Sequence, residues 1–195
     1  DSHAHLLFVP LIYIHSTFYS LEESTVKGID IQTKILKTEG VEFVTVYPDT
    51  PLSEALSQQA IRPVMPRKER LVVNIADGYS RVSNGRRVGV CSVQRDAGIL
   101  NSLSGISQAY ADSSPILVLP GGSEKRVYRT HPMVDIPATF RQVTKWIDTA
   151  WSAKEIPDLM RRAFTYLRCG RPGPVLLDLP NDVAGEELSD ADFHY

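Results

Sequence analysis

Few side chains in this sequence could carry chemistry, and they are scattered. Carboxylates stand at Asp49, directly after Tyr47-Pro48, and at Glu69, directly after Arg67-Lys68. A carboxylate at a helix start is favoured by the positive end of the helix dipole, so the plain reading of residues 67–69 is a solvated charge cluster. Ser92, Ser113 and Ser114 lack the G-x-S-x-G elbow of a serine hydrolase. No G-x-G-x-x-G or Walker sequence builds a nucleotide-phosphate loop, and Gly121-Gly122 reads as a turn. Cys91 and Cys169 make neither a disulfide framework nor a zinc spacing and read as reduced thiols. His3, His5 and His15 have no carboxylate or thiol at ligand spacing, so no metal site is expected there.

Whatever chemistry these groups do depends on the elements that position them. From Gly28 onward, apolar β-rich runs alternate with segments of helical spacing. Strands are expected over residues 41–47, 61–65, 88–93, 115–122, 145–151 and 174–180, with the second weakened by Pro63. Helices are expected over 29–40, ending at Gly40, and over 51–60, opening at Pro51. Further helices are expected over 68–82, 97–112 and 153–170, with a short one ending near Gln142. In the 68–82 segment Leu71, Val72, Ile75, Ala76 and Tyr79 recur at helical spacing. Continuous apolar strands separated by helices imply burial on both faces. The fold class is therefore α/β: a doubly wound, mostly parallel six-stranded sheet with helices on both faces. Ligand loops then lie at the strands' carboxyl ends, here residues 48–51, 66–69, 94–98 and 121–125.

Composition narrows the partners. The 21 Lys+Arg and 23 Asp+Glu nearly cancel and form no basic run, so no nucleic-acid partner is expected. The apolar run from Leu6 to Ile14 is too short for a bilayer of about 30 Å and is interrupted by Pro10. It also lacks the basic start and small-residue cleavage site of a signal peptide. No membrane association and a cytoplasmic location are expected. The chain divides into an N-terminal extension (1–27), one α/β domain (28–183) and a tail or linker (184–195).

The order of the segments carries more than their composition. EGVEFVTVYPDTPLSEAL, IRPVMPRKERLVVNIADGYSRVSNGRRVGV, LNSLSGISQAYADSSPILVLPGG, VTKW and GRPGPVLLDLPNDV occur in succession. Together they resemble the N-terminal pyrimidine-binding (PYR) domain of thiamine-diphosphate enzymes of the acetolactate synthase type, over residues 28–183. The strongest pieces are the glutamate before a helix reading ADGYSR and the closing GRPGPVLLDLPNDV.

The resemblance implies a sharp role for Glu69. A glutamate at this place hydrogen-bonds N1′ of the cofactor's aminopyrimidine and favours its imino form, which removes the thiazolium C2 proton before attack on a 2-oxo acid. Glu69 is accordingly the expected catalytic residue. Tyr47, Pro48, Asp49, Ala97 and Asn101 are, with Glu69, the expected cofactor contacts. The chain also departs from the family pattern. Asp96-Ala97-Gly98 stands where the family reads G-P-G, and Asp49 stands in a glycine's place, adding a charge and lacking glycine's backbone freedom. His131-Pro132 falls where a cofactor-contacting glutamine is often found. The substrate is therefore not borrowed from acetolactate synthase.

In the family, Mg²⁺ and the diphosphate are held by a separate PP domain carrying G-D-G and a later asparagine. The D-G here, Asp77-Gly78, falls inside the helix after Glu69, so Asp77 is expected to be structural. The resemblance implies thiamine diphosphate as cofactor and, as partner, a PP domain on another chain or in a missing C-terminal part. It further implies a homodimer or higher homo-oligomer, and a chain inactive alone. The alternative is a non-catalytic assembly or regulatory module that keeps the PYR fold.

Overall fold

A computed structural model describes residues 24–128, 130 and 133–195. The expectations for His3, His5 and His15, for the run from Leu6 to Ile14 and for His131-Pro132 lie outside the described residues. In chain order the elements are β1 (Thr25–Lys27), α1 (Gly28–Thr38), β2 (Phe43–Tyr47), α2 (Thr50–Gln58) and β3 (Arg62–Val64). Next come α3 (Glu69–Val82), β4 (Gly89–Val93), α4 (Ala97–Ala111), β5 (Ile116–Val118) and α5 (Ile136–Phe140). The last are β6 (Trp146–Thr149), α6 (Ile156–Arg168), β7 (Val175–Asp178), α7 (Asn181–Ala184) and β8 (Glu187–Ser189).

Six strands form one sheet in the order β3-β2-β4-β5-β7-β6, and every neighbouring pair is parallel. The expected α/β, doubly wound architecture is the one observed. Successive residues of one apolar strand serve opposite layers: Leu117 and Leu119 pack with α1, α2 and α6, whereas Ile116 and Val118 pack with α3, α4 and α5. That two-sided demand is why these strands read as unbroken apolar runs. Pro63 sits in edge strand β3, where β2 is its one neighbour and a missing N–H is tolerated.

β1 and β8 form a separate antiparallel ribbon, with Val26 opposite Leu188. The sequence reading assigns these residues to the extension and the tail. Paired, both side chains are buried in the cluster shared with α1 and α6. Neither strand is legible alone, because three residues carry no period.

Helix α3 opens with Glu69, and the sheet grips it closely. The Thr45 hydroxyl on β2 donates to the Val72 carbonyl at 2.8 Å, one turn after Glu69. Farther along, the Ser80 hydroxyl donates to the Pro115 carbonyl at 2.6 Å and accepts from the Gly89 N–H at 2.8 Å. A β-carbon on Gly89 would stand 2.0 Å from the Ala76 carbonyl oxygen, so the α3–β4 approach requires glycine. Val72, Val73, Ala76 and Ser80 face inward, while Leu71, Ile75 and Val82 are 45%, 38% and 83% exposed. The helical spacing noted in the sequence thus holds two apolar faces, one turned to the sheet and one to the outside.

Candidate functional site

The carboxyl ends of β2 and β4 lie side by side, Tyr47 opposite Val93, and the Gln94 N–H donates to the Tyr47 carbonyl at 3.3 Å. This pairing puts residues 47–49 next to the turn at residues 94–98. Glu69 enters from the third direction, at the first position of α3. A β-carbon on Gly98 would stand 3.7 Å from Glu69 Cγ and 3.0 Å from Gln94 Cβ, so the absence of a side chain at Gly98 lets α4 start close to Glu69. Glu69 is half-buried and, among the described residues, its carboxylate is engaged in no hydrogen bond or ion pair. Tyr47 is half-buried, and Pro48, Ala97 and Asn101 are exposed around the same edge.

Asp49 is differently placed. Its backbone is extended, at φ −154°, so this position demands no glycine freedom. Its carboxylate caps α2 by accepting from the Leu52 N–H at 3.2 Å, and accepts from the Ser92 hydroxyl at 2.8 Å. Burial raises its pKa above the usual carboxylate range, and the bonds from Ser92 and Leu52 oppose that shift. Gly121 makes room for it, since a β-carbon there would lie 2.7 Å from Asp49 Oδ2. Asp49 also borders a cleft of about 450 Å³ between α1, α2 and α7, which none of the other five expected site residues lines.

The turn at residues 94–98 does need unusual backbone freedom. Asp96 has φ 61° and ψ −110°, in the left-handed half of the map that is costly for a residue with a β-carbon. Its Oδ1 accepts from the Val134 N–H at 3.1 Å, a bond to a segment 38 residues away that holds the conformation from outside. Beside it, Arg95 is 2% exposed and paired with Asp178, which is 1% exposed. The guanidinium also donates from Nη2 to the Val134 carbonyl at 3.2 Å and lies 3.8 Å from the centre of the Tyr128 ring. The sequence reading misses this cluster, although a signal exists. Asp178 interrupts the apolar run 175–179, and a carboxylate in a buried strand demands a partner.

The remaining reactive groups are committed elsewhere. Asp77 accepts twice from Arg81 Nε at 2.9 Å, which gives it a structural role within α3. Burial pushes the Cys91 thiol up, away from thiolate chemistry. Among the described residues no group of three or more His, Cys, Asp or Glu side chains could hold a metal ion, and no helix is long and apolar enough to cross a membrane.

A parallel α/β sheet with an uncommitted glutamate at the strands' carboxyl edge defines a ligand-binding domain of doubly wound type. Residues 26–143 match the family described as "Thiamine pyrophosphate enzyme, N-terminal TPP binding domain", and the chain belongs to that family. The chain is 35% identical to a "Probable acetolactate synthase large subunit" of Methanocaldococcus jannaschii over 167 residues, 83% of this chain and 28% of the relative. It is 36% identical over 163 residues to "Acetolactate synthase 2, chloroplastic" of Nicotiana tabacum, 80% of this chain and 24% of the relative. With the "Acetolactate synthase large subunit" of Lactococcus lactis it shares 32% identity over 177 residues, 86% and 30% of the two chains. The chain thus spans less than a third of the length of these relatives, as the N-terminal domain of acetolactate synthase-like proteins.

Proposed function

We propose that this chain is the pyrimidine-binding part of a thiamine-diphosphate-dependent 2-oxo-acid decarboxylase or carboligase, with Glu69 as the residue that activates the cofactor. The observation that carries the reading is the placement of Glu69 as an uncommitted, half-buried carboxylate, packed against the glycine of the adjacent strand-end turn. Tyr47, Pro48 and Asp49 on one side and Ala97 and Asn101 on the other would border the aminopyrimidine ring. When bound, thiamine diphosphate supplies a carbon nucleophile toward 2-oxo acids, and the protein supplies orientation and polarity. Glu69 would hold a proton at the ring's N1′, a task suited to a carboxylate that ligand closure removes from water. Mg²⁺ and the diphosphate fall, on this reading, to a PP domain on another chain or elsewhere in the same protein. The pyrimidine-binding domain is taken as residues 28–183.

Glu69→Gln tests the role directly, with the PP domain supplied in trans or by fusion. The amide preserves size and can hydrogen-bond, but it cannot carry the negative charge. Deuterium exchange at the cofactor's thiazolium C2 should slow at least about tenfold, the low end of the 10²–10⁴-fold usual for acid–base groups being allowed a margin. Equal exchange at matched cofactor occupancy would remove Glu69 from the chemistry and favour a non-catalytic assembly or regulatory module.

A further inference from the structure

The turn between β4 and α4 is held by a device built from residues the catalytic reading does not use. Val134 offers both its backbone polar groups to this turn. Its N–H donates to Asp96 Oδ1 at 3.1 Å, and its carbonyl accepts from Arg95 Nη2 at 3.2 Å. Arg95 is anchored on its other side by Asp178 at the end of β7, and the Tyr128 ring covers its guanidinium. The backbone of the same residue is pinned too, since the Arg95 N–H donates to the Gly121 carbonyl at 2.7 Å. Asp96, the next residue, is the one in the left-handed conformation, from which α4 begins. Such a conformation persists only where the surroundings over-determine it.

We propose that Arg95 is a positioning residue: paired with Asp178 and clasping Val134 together with Asp96, it fixes the turn that sets Ala97, Gly98 and Asn101 against Glu69. This inference rests on the reading that the cofactor's pyrimidine binds at that edge. The clasp does with side chains what a glycine-rich turn does with backbone freedom. A planar guanidinium suits the task, because one N–H meets the Asp178 carboxylate while another reaches the Val134 carbonyl.

The rival view is that the ion pair only joins the ends of β4 and β7. The double variant Arg95→Met/Asp178→Leu separates the two, because replacing both partners with apolar groups avoids an unpaired buried charge and is often tolerated. With the PP domain supplied, titration should show a folded protein whose melting temperature is held but whose thiamine diphosphate dissociation constant is at least about tenfold weaker. An unchanged dissociation constant in the folded double variant overturns the proposal.

If the double variant does not fold, Asp96→Ala and Asp96→Asn decide. Ala loses the acceptor for the Val134 N–H and should weaken cofactor binding several-fold, whereas Asn keeps it and should restore affinity close to wild type. Equal affinities for Ala, Asn and wild type overturn the clasp. Should the wild-type protein bind no thiamine diphosphate, the functional reading fails, and the clasp is judged by amide hydrogen exchange. Faster exchange confined to residues 94–101 in the Asp96→Ala variant supports it, and unchanged exchange there overturns it.

Discussion

Asp49 and Glu69 show how two carboxylates at one sheet edge acquire different work. Among the described residues the Glu69 carboxylate at the start of α3 has no partner, while Asp49 caps α2 and spends both oxygens on Leu52 and Ser92. Burial raises the Asp49 pKa, so the folded state binds a proton more tightly there than the unfolded chain does. The stability Asp49 contributes is therefore full below the unfolded carboxylate range and is lost as pH rises through the raised folded value. Asp49→Asn keeps an acceptor for the Leu52 N–H and removes the titration. Urea unfolding from pH 4 to pH 7 should show the variant gaining stability relative to wild type as pH rises, and a pH-independent difference would contradict the assignment. Of the residues at this edge, Glu69 stood out only through the order of motifs around it, since by composition it belongs to a charge cluster. Asp96 was visible as a departure, but its left-handed backbone was not, because conformation there depends on Val134, distant in sequence.

At the scale of elements, the strands and helices were largely legible from apolar runs, Gly40 and Pro51. Strand order was not, because nothing local says that β7 lies between β5 and β6. Glycines could be counted but not sorted, and the packing now sorts them. Gly89→Ala would drive a β-carbon into the Ala76 carbonyl and should cost at least about 2 kcal/mol in urea unfolding. Gly78 is helical, and apart from its own helix backbone and chain neighbours nothing lies within 4 Å of where its β-carbon would be. Gly78→Ala should instead stabilise the chain by about 0.5–1 kcal/mol, the ordinary gain from replacing glycine inside a helix. If both substitutions destabilise equally, the packing described for α3 is wrong.

For the whole molecule, the outward face of α3 is the feature to explain. Leu71, Ile75 and Val82 are exposed along it, with Leu100 on α4 and Met65 nearby in sequence also exposed. Apolar side chains gathered along one helix face mark an interaction surface more often than chance exposure does. Self-association through this face should appear in sedimentation at tens of micromolar protein, and Leu71→Glu should shift the population toward monomer while leaving far-UV circular dichroism intact. Monomer alone in the wild type would count against it. The same incompleteness should be chemical. Purified chain given pyruvate, Mg²⁺ and thiamine diphosphate is expected to show no decarboxylation, and Mg²⁺-dependent turnover by this chain alone would refute the assignment of the diphosphate site to a PP domain.

The small ribbon of β1 and β8 has a mechanical consequence. Thr25 lies opposite Ser189, and the Asp190 N–H reaches the Ser24 carbonyl at 2.9 Å, so residues 24 and 190 stand together at one end of the ribbon. Tension applied through these two ends meets the ribbon in an unzipping direction, loading its hydrogen bonds one pair at a time rather than shearing them together. The ribbon would part at low force while the six-stranded sheet, with its edge, stays whole.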